Sequence, residues 1–226
     1  AQKPEVRFFA QLSFVVGDCH FRQEKWETSI KPLEDFVARL VEIKEKGKPK
    51  VTEGPNLDTA LIQLAVAYDR TGKRDLALGH LLTLVDHYPA VTPHLPLALS
   101  EQGRLAFQTG DLKRARSALE RFLKEDKANT APFNKTAPAQ RTRVNYYLGW
   151  VNATEKKYEE ASEHFSKVPH NDTLGSDASL QHGISLINAE NFEVASKHFP
   201  QMLKRFKEHE KLSLVVYYSG LSAAKL

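Results

Sequence analysis

Residues 61–89 read LIQLAVAYDRTGKRDLALGHLLTLVDHYP. Apolar residues recur at helical spacing, break at TGKRD, resume and stop at a proline, which predicts two helices folded back on each other through a tight turn. Sliding this segment along the chain reveals a rule. A small residue near the middle of a first helix is followed twelve residues later by another small residue in a second helix: Gly17 and Ser29, Ala65 and Ala77, Gly103 and Ala115, Gly149 and Ala161, Gly183 and Ala195. A polar or glycine turn separates each pair (RQEK, RTGKR, QTGDL, TEKK, NAEN), and a bulky residue follows four after the second small one: Leu33, Leu81, Leu119, Phe165 and Phe199. Antiparallel helices joined by a short turn approach closely only where side chains are tiny, so each crossing demands glycine, alanine or serine, with large residues filling the space beside it.

One such hairpin cannot bury its apolar face alone, and stacked hairpins form a solenoid. The expected fold class is therefore all-α: a right-handed superhelix of five hairpins, at about 5–46, 57–89, 95–126, 141–168 and 175–208, plus one extra helix at 210–226. The insertions KEKGKPKVTEGPN (44–56), AVTPHLP (90–96) and KEDKANTAPFNKTAPAQ (124–140) read as loops between hairpins, because proline and glycine end helices there. Gly220 would be the small residue of a sixth first helix; as an uncapped apolar helix is a poor end for a solenoid, the parent protein is expected to continue.

The pattern resembles the tetratricopeptide repeat, carried best by Leu64, Ala65, Tyr68, Ala77, Leu81, Leu84 and Pro89 and again by Leu148, Gly149, Ala161, Phe165 and Val168. The first and fifth units are degenerate, with Ser29 in place of alanine and His182 in place of leucine. The resemblance implies a binding scaffold that is not an enzyme, whose concave groove is lined by one face of each first helix and takes a protein or peptide. At 100° per residue that face presents Phe14, Phe21 and Arg22, then Asp69 and Arg70, then Arg104 and Phe107, then Arg143, Tyr146 and Trp150, then Ile184, and lastly Tyr217. Aromatic residues and arginine dominate binding hot spots. A known groove of the family grips a C-terminal carboxylate with lysines and asparagines; here the first two hairpins place Phe14, Asp18, Ile62 and Val66 there, so that clamp is absent. Hairpins ending in His-Tyr-Pro (87–89) are similar to those of bacterial envelope members, which leads us to expect a periplasmic or envelope location; a start at Ala1 fits removal of a signal peptide and fits trimming of a longer chain equally well.

Composition narrows the alternatives. The chain has 226 residues, 41% hydrophobic and 27% charged, with a net charge of +4 spread without long like-charge runs. Nucleic acid binding is not indicated, and KEKGKPK and KRFKEHEK mix both signs, as solvated helix ends do. No stretch has the apolar length of a membrane span. The lone Cys19 excludes an internal disulfide or a multi-cysteine metal site and is expected to be buried. No phosphate loop, zinc-protease helix, nucleophile elbow or calcium loop occurs, so no cofactor or small-molecule substrate is expected. His80, His164 and His198 each lie fifteen after their hairpin's first small residue; equivalent positions on stacked hairpins are about 10 Å apart, too far to share a zinc ion. Of three glycosylation triplets, at Asn134, Asn152 and Asn171, that at Asn152 falls inside a helix and is accidental. A spacer or self-association module using residues 210–226 is the alternative to peptide binding, and a nucleic-acid-binding helical repeat comes third.

Overall fold

The computed structural model describes residues 4–46, 56–87, 92–129, 131–135, 138–208 and 210–226. Among them all regular structure is helical: α1 (Pro4–Arg22), α2 (Trp26–Lys46), α3 (Leu57–Arg70), α4 (Arg74–His87), α5 (Leu95–Gln108), α6 (Leu112–Ala128), α7 (Pro138–Thr154), α8 (Tyr158–Ser166), α9 (Gly175–Asn188), α10 (Phe192–Arg205) and α11 (Leu212–Ala224), with a 3-10 turn at Phe133–Lys135. Pro89, residues 47–55 of the first expected loop and residues 90–91 of the second lie outside the described residues. The third loop is shorter than its composition predicts. The charged run KEDK continues α6 to Ala128, where Asn129 adopts a left-handed conformation (φ 52°) and ends the helix. Pro138 opens α7, where a missing N–H removes no intrahelical bond.

The chain forms two compact units, Ala1–Gly110 and Asp111–Leu226. In the first, α1 packs on α2, α2 on α3, α3 on α4 and α4 on α5; in the second, the same succession runs from α6 to α11. The helices of the third predicted hairpin, α5 and α6, fall one in each unit.

Within each unit the crossing rule holds, with a change of partner. Ser29, Ala77, Ala115, Ala161 and Ala195 are fully buried. Yet the atom that sits over Gly17, Gly149 and Gly183 belongs to the bulky residue one turn further on. A Cβ on Gly17 would lie 2.6 Å from Leu33 Cγ, one on Gly149 2.7 Å from the Phe165 ring, and one on Gly183 2.4 Å from Phe199 Cζ. The large side chain is thus a knob in a hole floored by glycine, rather than a filler beside it. Ser29 serves in place of alanine because its hydroxyl donates to the Trp26 carbonyl at 2.7 Å, leaving no unsatisfied polar atom in the core.

The five turns share one geometry that their sequences do not. Seven residues after each first small residue, Glu24, Gly72, Gly110, Lys156 and Glu190 all have φ between 57° and 84°. The next N–H reaches back to a carbonyl five residues earlier: Lys25 to His20, Lys73 to Tyr68, Lys157 to Asn152 and Asn191 to Leu186, at 2.8–3.0 Å. This is the left-handed helix cap favoured by glycine, and three turns adopt it with lysine or glutamate. Asp111 and Asn191 then cap the following helices by accepting from the N–H groups of Arg114 and Val194.

Two outcomes follow for stability, both read by urea denaturation. Glu190→Gly relieves a left-handed non-glycine residue and should stabilise the chain by about 1 kcal/mol. Gly183→Ala forces a methyl into the Phe199 ring and should destabilise by about 1–3 kcal/mol, with part of that recovered in the Gly183→Ala/Phe199→Leu double variant.

Candidate binding face

Where neighbouring first helices meet, polar side chains join them in a repeated way. In the first unit, Gln63 on α3 donates to Asp18 on α1 at 2.6 Å, Arg104 on α5 donates to Asp69 on α3 at 2.6 Å, and the Thr59 hydroxyl lies 3.3 Å from His94 Nε2. In the second unit, the Tyr146 hydroxyl on α7 donates to Asp177 on α9 at 2.7 Å, and Lys211 at the start of α11 lies 3.4 Å from the same carboxylate. Counted from each helix's own small residue, every one of these rungs steps back three positions from one first helix to the next. A shift of nearly one turn brings the same face of successive first helices into contact.

These rungs decide what the predicted groove residues do. Asp69 and Arg104 are joined in an ion pair, and Arg104 also donates to Glu101 at 2.7 Å and to Gln108 at 2.9 Å, so its guanidinium is occupied within the protein. Arg22 pairs with Asp18 one turn earlier on α1, and Arg70 lies 5.9 Å over the Trp26 ring, which itself meets Phe21 edge-on at 5.2 Å. Phe14 is buried, its ring 5.2 Å from that of Phe36, and belongs to the core. Phe107 and Arg143 are half-buried. On α7, Tyr146 and Trp150 are half-buried and both meet Phe165 edge-on, at 6.1 and 5.8 Å; Tyr146 holds its proton, with a pKa well above 10, because of burial and its bond to Asp177. Ile184 on α9 is half-buried and Tyr217 on α11 is exposed.

Other expectations resolve at the same scale. Cys19 is exposed, not buried: it lies 200° around α1 from Gly17, on the side away from α2. Asn152 is buried in α7 and its side-chain oxygen accepts from Arg116 at 2.7 Å, so that glycosylation triplet is closed in the folded chain. Arg116 also bonds Glu155 at 2.8 Å, which ties α6 to α7. Each of the three register-related histidines has a local packing role. His80 stacks on Tyr68 with ring centroids 5.5 Å apart, His164 Nδ1 lies 3.1 Å from Asn145 Oδ1, and His198 Nε2 donates to the Ser179 carbonyl at 2.8 Å. The histidine that register alone did not place beside them is His182. Its ring meets that of His198 at 4.7 Å, and its Nδ1 donates to the Ser162 carbonyl at 2.9 Å. Both bonds end on carbonyls, which fixes the tautomer of each neutral ring.

The tetratricopeptide repeat pattern matches residues 62–132 and 100–175, together just over half of the chain. The chain belongs to the tetratricopeptide repeat family. Solved tetratricopeptide structures similar to it include MamA, at 17% identity over 90% of this chain and 94% of that one with a TM-score of 0.64. MamA from Desulfovibrio magneticus matches at 16% over 89% and 97%, TM-score 0.58, and BtubC from P. vanneervenii at 14% over 88% and 80%, TM-score 0.60. At these identities the likeness shows the fold: an all-α tetratricopeptide solenoid. No curated protein sequence matches the chain. Among the described residues, no helix is long and apolar enough to cross a membrane, and no three histidine, cysteine or acidic side chains are grouped to hold a metal.

Burial depresses the pKa of His182 and takes that of His198 to about 4, with His182, His170 and Arg205 adding smaller repulsions. The unfolded chain therefore binds a proton near pH 6.5 that the folded chain refuses until about pH 4. The stabilisation is complete above pH 6.5 and is lost as pH falls toward 4, by up to about 3 kcal/mol for His198. Urea midpoints at pH 7 and pH 4.5 should show this loss in the wild type and a smaller one in His198→Gln.

Proposed function

We propose that this chain is a non-catalytic adaptor that binds an extended or helical segment of another protein along its first helices, with the α7 aromatic pair as the main anchor. The observation that carries the reading is the state of Tyr146 and Trp150. Both rings are held in place by Phe165, Tyr146 is further fixed by Asp177, and both retain exposed surface. Ordered aromatic side chains lose little entropy on binding, which is why such residues dominate interfaces. One docked aromatic or leucine anchor contributes roughly 2 kcal/mol. With Arg104 and Arg22 engaged by carboxylates of the chain itself, selection of the partner rests on apolar shape more than on charge, and Ile184 and Tyr217, in the same unit as α7, would supply secondary contacts. The pairing of histidines with hydroxyl or carbonyl groups at helix contacts, as in Thr59 with His94 and Ser179 with His198, supports packing roles for them and hence a non-catalytic reading. A periplasmic or envelope setting is part of the proposal and rests on the sequence of the hairpin endings.

The test begins with capture of the partner from the native source by the wild-type chain, followed by calorimetric titration. Trp150→Ala should weaken binding about 30-fold, equivalent to about 2 kcal/mol, with helicity retained. Tyr146→Phe keeps the ring and should bind nearly as the wild type does. Equal affinity of Trp150→Ala and wild type would refute the α7 anchor.

A further inference from the structure

The fifth hairpin carries an imidazole where the second and fourth carry leucine. Leu64 and Leu148, one residue before the small residue of α3 and of α7, are fully buried. The same position on α9 is His182, which lies against His198 of α10 with ring centres 4.7 Å apart. Each ring spends one nitrogen on the main chain: His182 Nδ1 donates to the Ser162 carbonyl on α8 at 2.9 Å, and His198 Nε2 donates to the Ser179 carbonyl on α9 at 2.8 Å. The other two nitrogens, His182 Nε2 and His198 Nδ1, therefore carry lone pairs. Neither is among the side-chain atoms enclosed without a hydrogen-bond partner, so both reach solvent at the edge of this half-buried pair.

Metal-binding histidines are held in this way. One nitrogen ligates while the other donates to a carbonyl or carboxylate, which fixes the tautomer and orients the ring. Two imidazoles on one ion, with metal–nitrogen bonds of about 2.0–2.1 Å and angles of about 90–109°, place their ring centres about 4.5–5.2 Å apart. The separation of His182 and His198 falls within that range. Burial keeps both rings neutral at pH 7, the state that ligates. The other titratable groups that face the pair, His170 and Arg205, are not acidic, so no carboxylate competes with the rings for an ion or holds a proton on them.

We propose that His182 and His198 form a two-histidine site for a divalent transition-metal ion that favours imidazole, namely copper, nickel or zinc, with water in the remaining positions. With two protein ligands rather than three, affinity follows the ion's own preference for nitrogen, so copper(II) binds above nickel(II) and zinc(II). Magnesium, which demands oxygen ligands, is excluded. The bound ion joins α9 to α10 beside the contact of Phe199 with Gly183, and by mass action it stabilises the second unit.

The tag-free 226-residue chain is titrated at pH 7 with copper(II), nickel(II), zinc(II) and magnesium in separate calorimetric runs, and its unfolding temperature is followed in parallel. A single copper(II) should bind per chain, nickel(II) and zinc(II) more weakly, and magnesium not at all, and the unfolding temperature should rise with the concentration of each ion that binds. Electron spin-echo spectra of the copper(II) form should count two imidazole ligands. His182→Gln and His198→Gln, each checked for unchanged helicity, should weaken copper(II) binding at least about tenfold, whereas His164→Gln, at the register of His198 in the preceding hairpin, should leave it unchanged. Absence of copper(II) uptake at about 1 mM overturns the proposal. So does a spin-echo spectrum of the wild type with only one imidazole, a result that depends on no variant, and so does wild-type copper(II) affinity in either His182→Gln or His198→Gln.

Discussion

The contact between a first-helix small residue and the bulky side chain sixteen positions later governs this structure. Where that small residue is glycine, a phenylalanine or leucine rests almost on the backbone, as Phe199 does on Gly183 and Phe165 on Gly149. Helices can then pack at the short end of the usual 8–10 Å range, and sliding either helix would lift the ring out of its hole. Register is fixed in consequence, and with it the rest of the hairpin. The position one before the ring, fifteen after the small residue, is brought against the position four before that residue, which is why His164 meets Asn145 and His198 meets Ser179. The turn must span a set gap, and does so with a left-handed residue even where lysine or glutamate has to adopt it.

Stacking carries the same constraint from hairpin to hairpin. Because successive first helices within each unit are shifted by three residues, their polar groups meet in rungs, Asp18 with Gln63 in the first unit and Asp177 with Lys211 in the second. Each rung satisfies side chains that would otherwise compete for a partner or pull water into the face. What is left exposed on this face is a set of rings already packed, and in the function proposed for it such a surface binds with less ordering cost than a set of free side chains. Charge on this face chiefly orders the protein itself.

Most of the architecture was legible because glycine, alanine and the bulky aliphatic and aromatic residues recur in register, and helical periodicity converts register into faces. The losses have specific causes. Cys19 was misplaced because burial was inferred from residue type, when its position two residues from Gly17 already directed it away from α2. The third loop is shorter than its proline content suggests because the charged residues before it extend α6 to Ala128. The ion pair of Asp69 with Arg104 depends on the three-residue stagger, which no single hairpin reveals. A search for complementary polar residues three positions earlier in each following repeat would have found it.

By itself the sequence determined the helices, their pairing into hairpins and the residues that face inward, because these follow from periodicity and from the sizes of side chains close together in the chain. Only the tertiary structure decided which atom fills each glycine, how neighbouring first helices are staggered, and therefore which face residues remain open to a partner. Those outcomes turn on distances of a few tenths of an ångström between residues 16 to 45 positions apart, and a one-dimensional pattern holds no measure of such distances.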